Sequence, residues 1–155
     1  MRDDADRKLL RGVFDDLVRF ETVLWARLDA RLREECGVGA AGFNVLLVID
    51  STPQCRVFDI ATALEITVGG TSQAVDRLEA AGRCRRVPNP ADRRSSIVEL
   101  TPDGQALLAT AGAVFDDELA RLLREPLTAT ALQHLSRALG TLRRAAAAGP
   151  ENVEP

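Results

Sequence analysis

The chain has 155 residues, of which 46% are hydrophobic, and a formal net charge of −3. This length fits one domain, or one domain with an attached helical dimerisation element. No apolar run is long enough for a transmembrane helix and the N-terminus lacks a signal-peptide pattern, so we expect a cytoplasmic protein with no membrane partner.

Cysteine and histidine are too few and too scattered to organise the chain. Cys36, Cys55 and Cys84 are far apart, and His134 is the only histidine. We therefore expect no disulfide framework, no metal site and no cofactor. A nucleophile elbow, a phosphate loop and a pair of catalytic acids on one face are also missing from the sequence, so we expect no enzyme.

Residues 5–35 have the apolar period of a helix of roughly eight turns. The apolar positions are Leu10, Val13, Phe14, Leu17, Leu24, Leu28 and Leu32. No Gly or Pro interrupts the pattern from Val13 to Cys36, and Gly37 is placed to end the helix. A helix this long exceeds what a small domain can bury, which indicates a partner surface.

The next segments predict a compact group of short helices. Residues 41–50 form a nearly all-apolar helix, residues 55–57 a short strand, and residues 59–64 a short helix. After a turn at residues 65–67, a second helix runs over 68–81, with Thr71, Val75 and Leu78 facing inward and Gly82 placed to end it. Two short helices joined by a tight turn and followed by a hairpin are typical of a winged helix-turn-helix.

The hairpin at residues 83–101 concentrates positive charge. Its five arginines stand against one acid, Asp92, before the second strand begins. A cationic hairpin on an acidic chain predicts a specific anionic partner, which we interpret as double-stranded DNA.

Two more helices, over residues 102–124 and 128–147, complete the predicted fold. Thr101 and Thr128 are good N-caps for them. We divide the chain into an N-terminal dimerisation helix (1–39), a reader (40–101), C-terminal dimerisation helices (102–148) and a disordered tail (149–155). The expected dimer interface comprises Leu10, Val13, Phe14, Leu17, Leu119, Leu122, Leu123, Leu135, Leu139 and Leu142.

The order helix-turn-helix, DRLEAAG, NPADRRSSIVELTPDG resembles the MarR family of bacterial transcriptional regulators over nearly the whole chain. The resemblance implies a mainly α fold with a small β-hairpin wing, between N- and C-terminal dimerisation helices. It also implies a homodimer that binds a palindromic operator, usually as a repressor, and is released by a small aromatic or lipophilic effector or by an oxidant.

The resemblance assigns roles to individual residues. It implies that 68–81 is the recognition helix capped by Thr67, that Arg94 and Arg93 enter the minor groove, and that Asp92 pairs with Arg94. By helix geometry Gln73 is placed to pair with adenine. The full expected DNA-binding set is Thr67, Gly69, Gly70, Ser72, Gln73, Arg77, Arg83, Arg85, Arg86, Asp92, Arg93 and Arg94.

Gly69 and Gly70 depart from the family pattern, which usually has larger residues in the first turn of the recognition helix. Two alternatives follow from the low helix propensity of glycine. Either the first turn forms only on DNA, or the glycines let backbone N–H groups approach a phosphate closely.

Other features leave alternatives open. Trp25, Phe43 and Phe58 either pack a core or dimer seam or line an effector cavity. Cys84 lies beside arginines that would lower its pKa, but strand alternation would equally bury it. A redox-responsive regulator is therefore one alternative function, and a winged-helix module that binds only protein is another.

Overall fold

The computed structural model describes residues 2–148 and confirms a mainly helical fold with one β-hairpin. In chain order the elements are α1 (Arg2–Cys36), α2 (Ala40–Ser51), α3 (Val57–Leu64), α4 (Val68–Ala80), β1 (Cys84–Pro88), β2 (Ser96–Leu100), α5 (Pro102–Leu119), a π-helical turn (Ala120–Arg124) and α6 (Ala129–Ala148). Two compact units result, Met1–Glu118 and Leu119–Pro155. The tail predicted to be disordered, 149–155, lies outside the described residues.

The helix ends follow the capping residues identified in the sequence. Gly37 and Gly82 have φ values of +68° and +70°, so both take the left-handed conformation that suits glycine after a helix. The Thr67 hydroxyl accepts a 3.1 Å hydrogen bond from the Gly70 N–H, and the Thr101 hydroxyl accepts one of 3.0 Å from the Gly104 N–H. These bonds satisfy N–H groups that have no partner inside their helices.

The first unit has a core built from several short elements. Its fully buried side chains include Phe43, Leu46, Ile60, Val75 and Val98. The sequence prediction that Thr71, Val75 and Leu78 face inward on α4 is confirmed, since all three are buried. The buried face fixes how α4 is rotated and therefore which of its residues remain exposed.

The turn between α3 and α4 requires one unusual backbone conformation. Glu65 has a φ of +54°, in the left-handed region that a non-glycine residue seldom occupies. The following N–H, that of Ile66, donates a 3.1 Å bond to the Ala61 carbonyl and closes the end of α3. Thr67 then caps α4, so the helix-turn-helix is completed within three residues.

The hairpin is antiparallel, with Arg85 opposite Glu99 and Arg86 opposite Val98. The predicted strand at residues 55–57 is smaller than expected: Arg56 forms a single bridge to Ile97, and the Val98 N–H donates a 2.7 Å bond to the Cys55 carbonyl. This attachment joins β2 to the start of α3.

The two ends of α1 have different surroundings. Leu28 and Leu32 are buried, whereas the large apolar residues between Leu9 and Trp25 are exposed, apart from the half-buried Leu24. At the C-terminal end, Arg31 donates to Asp117 at 2.7 Å and to Glu118 at 2.9 Å and so ties α1 to α5. The N-terminal portion of α1 is left with an uncovered apolar face.

None of the helices formed by residues 2–148 combines the length and apolar character that a bilayer span requires.

The start of α5 lies against the connection between α4 and β1. The Thr101 hydroxyl donates a 2.6 Å bond to the Gly82 carbonyl, and the Thr101 N–H donates a 3.2 Å bond to the Arg83 carbonyl. A Cβ at Gly104 would lie 1.8 Å from that same Arg83 oxygen, so only glycine fits.

We therefore expect Gly104→Ala to lower the free energy of unfolding by about 3 kcal/mol, at the upper end for overpacking, because the clash is with backbone. Gly112→Ala is the matched control on the same helix, since a Cβ there meets nothing within 4 Å. It should raise the free energy of unfolding by about 0.5–1 kcal/mol through helix propensity. Urea unfolding followed by circular dichroism measures both, and equal stabilities would contradict the packing argument.

Candidate nucleic-acid interface

The exposed face of α4 carries the polar residues expected on a recognition helix. Gln73 and Arg77 are exposed and Ser72 is half-buried, as the inward set of Thr71, Val75 and Leu78 dictates. The first turn of α4, including Gly69 and Gly70, is helical in the structure. The alternative in which this turn forms only on DNA is therefore unnecessary.

The loop between β1 and β2 is shaped by short polar side chains. The Asp92 carboxylate accepts a 3.0 Å bond from the Arg94 backbone N–H, and the Asn89 side-chain amide oxygen (Oδ1) accepts one of 3.0 Å from the Ala91 N–H. The Asn89 amide also donates to the Ser95 hydroxyl at 2.9 Å. These are the local side-chain-to-backbone bonds by which Asn and Asp stabilise turns.

The expectation that Asp92 pairs with the Arg94 side chain is therefore corrected. Its bond goes to the Arg94 main chain, two residues along, because a carboxylate at this position of a turn reaches that N–H directly. Asp92 fixes the loop backbone, and both Arg93 and Arg94 are exposed at its tip. Among the side chains of residues 4–148, neither guanidinium lies within 4.0 Å of an acidic group.

The two arginines of β1, unlike those at the loop tip, form ion pairs within the chain. Arg85 donates to Glu99, its cross-strand neighbour, at 3.0 Å. Arg86 donates to Asp76 at 2.6 Å and also to Glu79, both on α4. The sequence places all five arginines of the hairpin in one cationic group, but the structure pairs Arg85 and Arg86 inside the chain and leaves the charge at the tip.

Strand alternation explains this division. Cys84 and Arg86 point to the same face of β1, toward α4, and Arg85 points to the other. The Cys84 thiol is buried, with its sulfur 3.8 Å from the Val75 carbonyl oxygen. The Glu79 carboxylate accepts a 2.7 Å hydrogen bond from the Arg86 backbone N–H. The ion pairs of Asp76 and Glu79 with Arg86 are not among the sequence predictions, although the alternation of residues along β1 indicates that Arg86 faces α4.

Arg83 contributes its backbone to the fold. Its N–H donates a 2.8 Å hydrogen bond to the Leu78 carbonyl, and its own carbonyl accepts the hydrogen bond from the Thr101 N–H, just before α5. Its side chain is half-buried. Between Thr67 and Leu100 six arginines and four acidic residues give a net charge of +2, in a chain whose net charge is −3. The region is therefore locally cationic even after the internal ion pairs are counted.

The three aromatic candidates for an effector cavity have different environments. Phe43 is 1% exposed and packs against Phe115 with ring centroids 4.9 Å apart, so its side chain belongs to the core rather than to a cavity wall. Trp25 and Phe58 are 44% and 62% exposed. Among residues 4–148, no ring contact joins any two of the three candidates.

Comparison with known proteins agrees with this geometry. Residues 37–95 match the MarR family model. The multiple antibiotic resistance protein MarR of Salmonella typhimurium is 34% identical over 70 residues, covering 45% of this chain and 49% of that protein. The chain thus spans about half the length of this relative.

Two solved structures resemble most of the chain. CouR, a transcriptional repressor bound to a 23-mer DNA duplex, is 31% identical with a TM-score of 0.76, covering 82% of this chain and 89% of CouR. Sco3205, a MarR family transcriptional regulator from Streptomyces coelicolor in complex with DNA, is 26% identical with a TM-score of 0.80, covering 94% of this chain and 90% of Sco3205.

The fold and the site together define a winged helix-turn-helix protein. The chain belongs to the MarR family of transcriptional regulators.

The thiols bear on the redox alternative. Burial raises the pKa of Cys84 to about 11, with Glu79 adding to the rise and Arg86 opposing it. Burial likewise raises the pKa of Cys55 to about 11. The neighbouring arginine therefore does not activate Cys84, because desolvation outweighs it. Cys36 is half-buried, and its pKa is raised by burial and by Glu35.

We expect a thiol reagent such as DTNB at pH 7.5 to modify only Cys36 in the folded protein. With pKa values near 11, Cys55 and Cys84 have a thiolate fraction of about one in a thousand or less at that pH, and it rises only as pH approaches the pKa. Cys36→Ser should abolish the native reaction, and unfolding in urea should release two further thiols. Rapid native modification of Cys84 would restore the redox alternative.

Proposed function

We propose that the protein is a homodimeric, sequence-specific DNA-binding regulator that represses a nearby gene and is released by a small-molecule effector. The observation that carries the proposal lies at the tip of the wing beside the exposed face of α4. There the guanidinium groups of Arg93 and Arg94 are exposed and form no ion pair with the acidic side chains of residues 4–148. The DNA duplexes in the structures of CouR and Sco3205 support the same assignment.

The two parts of the interface suit the two grooves of DNA. An α-helix fits the major groove, where Gln73 can bind adenine through N6 and N7. An arginine at the end of a narrow hairpin suits a narrow minor groove, whose negative potential attracts it. Arg77, exposed beside Gln73, is placed to contact phosphate. We assign Arg85 and Arg86 a structural role in the wing, because both form ion pairs inside the chain.

Dimerisation follows from the uncovered apolar faces. On α1, Leu10, Val13, Phe14 and Leu17 are 61%, 46%, 69% and 40% exposed. In the second unit, Leu139 and Leu142 are 42% and 56% exposed, while Leu119, Leu122, Leu123 and Leu135 are half-buried. An apolar surface of this extent is characteristic of a protein interface. A two-fold dimer would place its recognition helices about 34 Å apart, one turn of DNA, which suits a palindromic operator.

An effector would contact aromatic surface that the chain leaves exposed. Trp25 and Phe58 are the aromatic side chains with exposed surface to offer, since Phe43 is enclosed in the core. Release of operator DNA by aromatic and lipophilic compounds is the property to measure. Reporter expression with and without the protein gives the sign of regulation.

We expect Arg94→Ala to weaken operator binding by about 1–3 kcal/mol and to reduce the salt slope by about one, because it removes a groove contact and a released counterion. Arg85→Ala is the matched control on the same wing, where Glu99 already neutralises the charge. It should cost less than about 1 kcal/mol, the range of an exposed ion pair. Fluorescence anisotropy over a salt series, with an operator selected from random duplexes, measures both. Absence of binding by the folded wild-type protein at low salt would overturn DNA recognition.

We expect Phe14→Asp to convert the dimer to a monomer at micromolar concentration, because it buries a charge in an apolar seam. Ala26→Asp adds the same charge to the opposite, exposed face of α1 and should leave the dimer intact. Sedimentation velocity distinguishes the two. A monomeric wild-type protein would refute the homodimer.

A further inference from the structure

The outermost line of α4 begins with a residue that has no side chain. The buried positions Thr71, Val75 and Leu78 define its inward face. At about 100° per residue, the opposite line runs through Gly69, Gln73 and Ala80. Gly69 and Gln73 are one turn apart on this line, and both are exposed.

No contact within the described part of the chain explains the glycine at position 69. A Cβ there would meet nothing within 4 Å, and the backbone φ is outside the left-handed region. Gly70 is different, because its Cβ would lie 3.1 Å from the Thr67 hydroxyl that caps the helix. Glycine disfavours helix formation, so an unconstrained glycine at this position indicates that something outside the chain approaches closely.

The position of Gln73 on α4 supports the same close approach at position 69. Helical side chains lean toward the N-terminus, so a residue covers the surface of the preceding turn. The Gln73 side chain therefore extends over the position where a Gly69 side chain would be. A base reached by Gln73 and a side chain at position 69 would compete for this space.

We propose that Gly69 is a positioning residue for base recognition: its missing Cβ lets the N-terminal end of α4 enter the major groove deeply enough for the Gln73 amide to reach an adenine edge. The inference rests on the DNA-binding function proposed above. Gly69 itself contacts no base in this arrangement. It controls the depth of the helix, and Gln73 supplies the hydrogen bonds to adenine N6 and N7.

The test compares Gly69→Ala, Gln73→Ala and the double variant on an operator selected by the wild-type protein. Gly69→Ala should keep or raise the melting temperature, by about 1–3 °C, because alanine is the better helix former. It should weaken operator binding at least about fivefold, the lower range for one bidentate base contact. Binding to unselected duplex at low salt should be unchanged, because phosphate contacts do not depend on Gln73.

The double-mutant cycle identifies the mechanism. If Gly69 acts through Gln73, Gly69→Ala should have little further effect in the Gln73→Ala background, and both single variants should lose discrimination at the same base pair. Gly112→Ala is the matched control, since an added Cβ there also meets nothing within 4 Å but the residue lies outside the helix-turn-helix. It should leave operator affinity unchanged.

Two results would overturn the inference. One is wild-type affinity in Gly69→Ala; the other is strictly additive losses in the double variant. In either case wild-type binding of the operator would still support the proposed function. A wild-type protein that selects no duplex would overturn the function, and this inference with it.

Discussion

The junction between α4 and β1 is the constraint on which the candidate interface depends. The wing can act together with the recognition helix only if the two keep a fixed relation, and three kinds of contact hold them. Cys84 and Val98 are buried in the core, the Arg83 N–H is bonded to the Leu78 carbonyl, and Arg86 reaches the acids of α4. A buried valine contributes about 1.5–3 kcal/mol, whereas an ion pair of this exposure contributes about 1 kcal/mol or less. Apolar burial therefore holds the wing, and Arg86 sets its direction.

The same junction decides where positive charge is available. A pleated strand sends alternate residues to opposite faces, so β1 cannot present all its arginines to one partner. Arg86 is drawn to α4 and Arg85 to Glu99, which leaves the tip as the exposed cationic point. Asp92 strengthens this arrangement by bonding the loop backbone instead of neutralising a guanidinium. An acidic chain thereby keeps two unpaired positive charges at the end of the hairpin.

The apolar residues of the long helix α1 are buried at its C-terminal end and exposed along its N-terminal part. Its C-terminal end is fixed by Leu28, Leu32 and the Arg31 bridge to α5, and so forms part of the first unit. Its N-terminal end displays apolar residues that residues 4–148 leave uncovered. The first unit thus has its core within one chain, whereas the apolar face at the N-terminal end of α1 stays exposed.

The sequence by itself determined the order of the helices, the hairpin and the helix caps, but not the single bridge at Arg56 or the π-helical turn after Leu119. The periodicity of 5–35, the caps at Thr67, Thr101 and Thr128, and the glycines at 37 and 82 act through local geometry, and local geometry can be read from neighbouring residues. Only the tertiary structure decided the partners of the charged and aromatic side chains. Arg86 meets Asp76 and Glu79 ten and seven residues away, and Phe43 meets Phe115 from another helix. Such contacts depend on how elements pack, so charge and hydrophobicity along the chain could indicate the hairpin but not which of its arginines stay free.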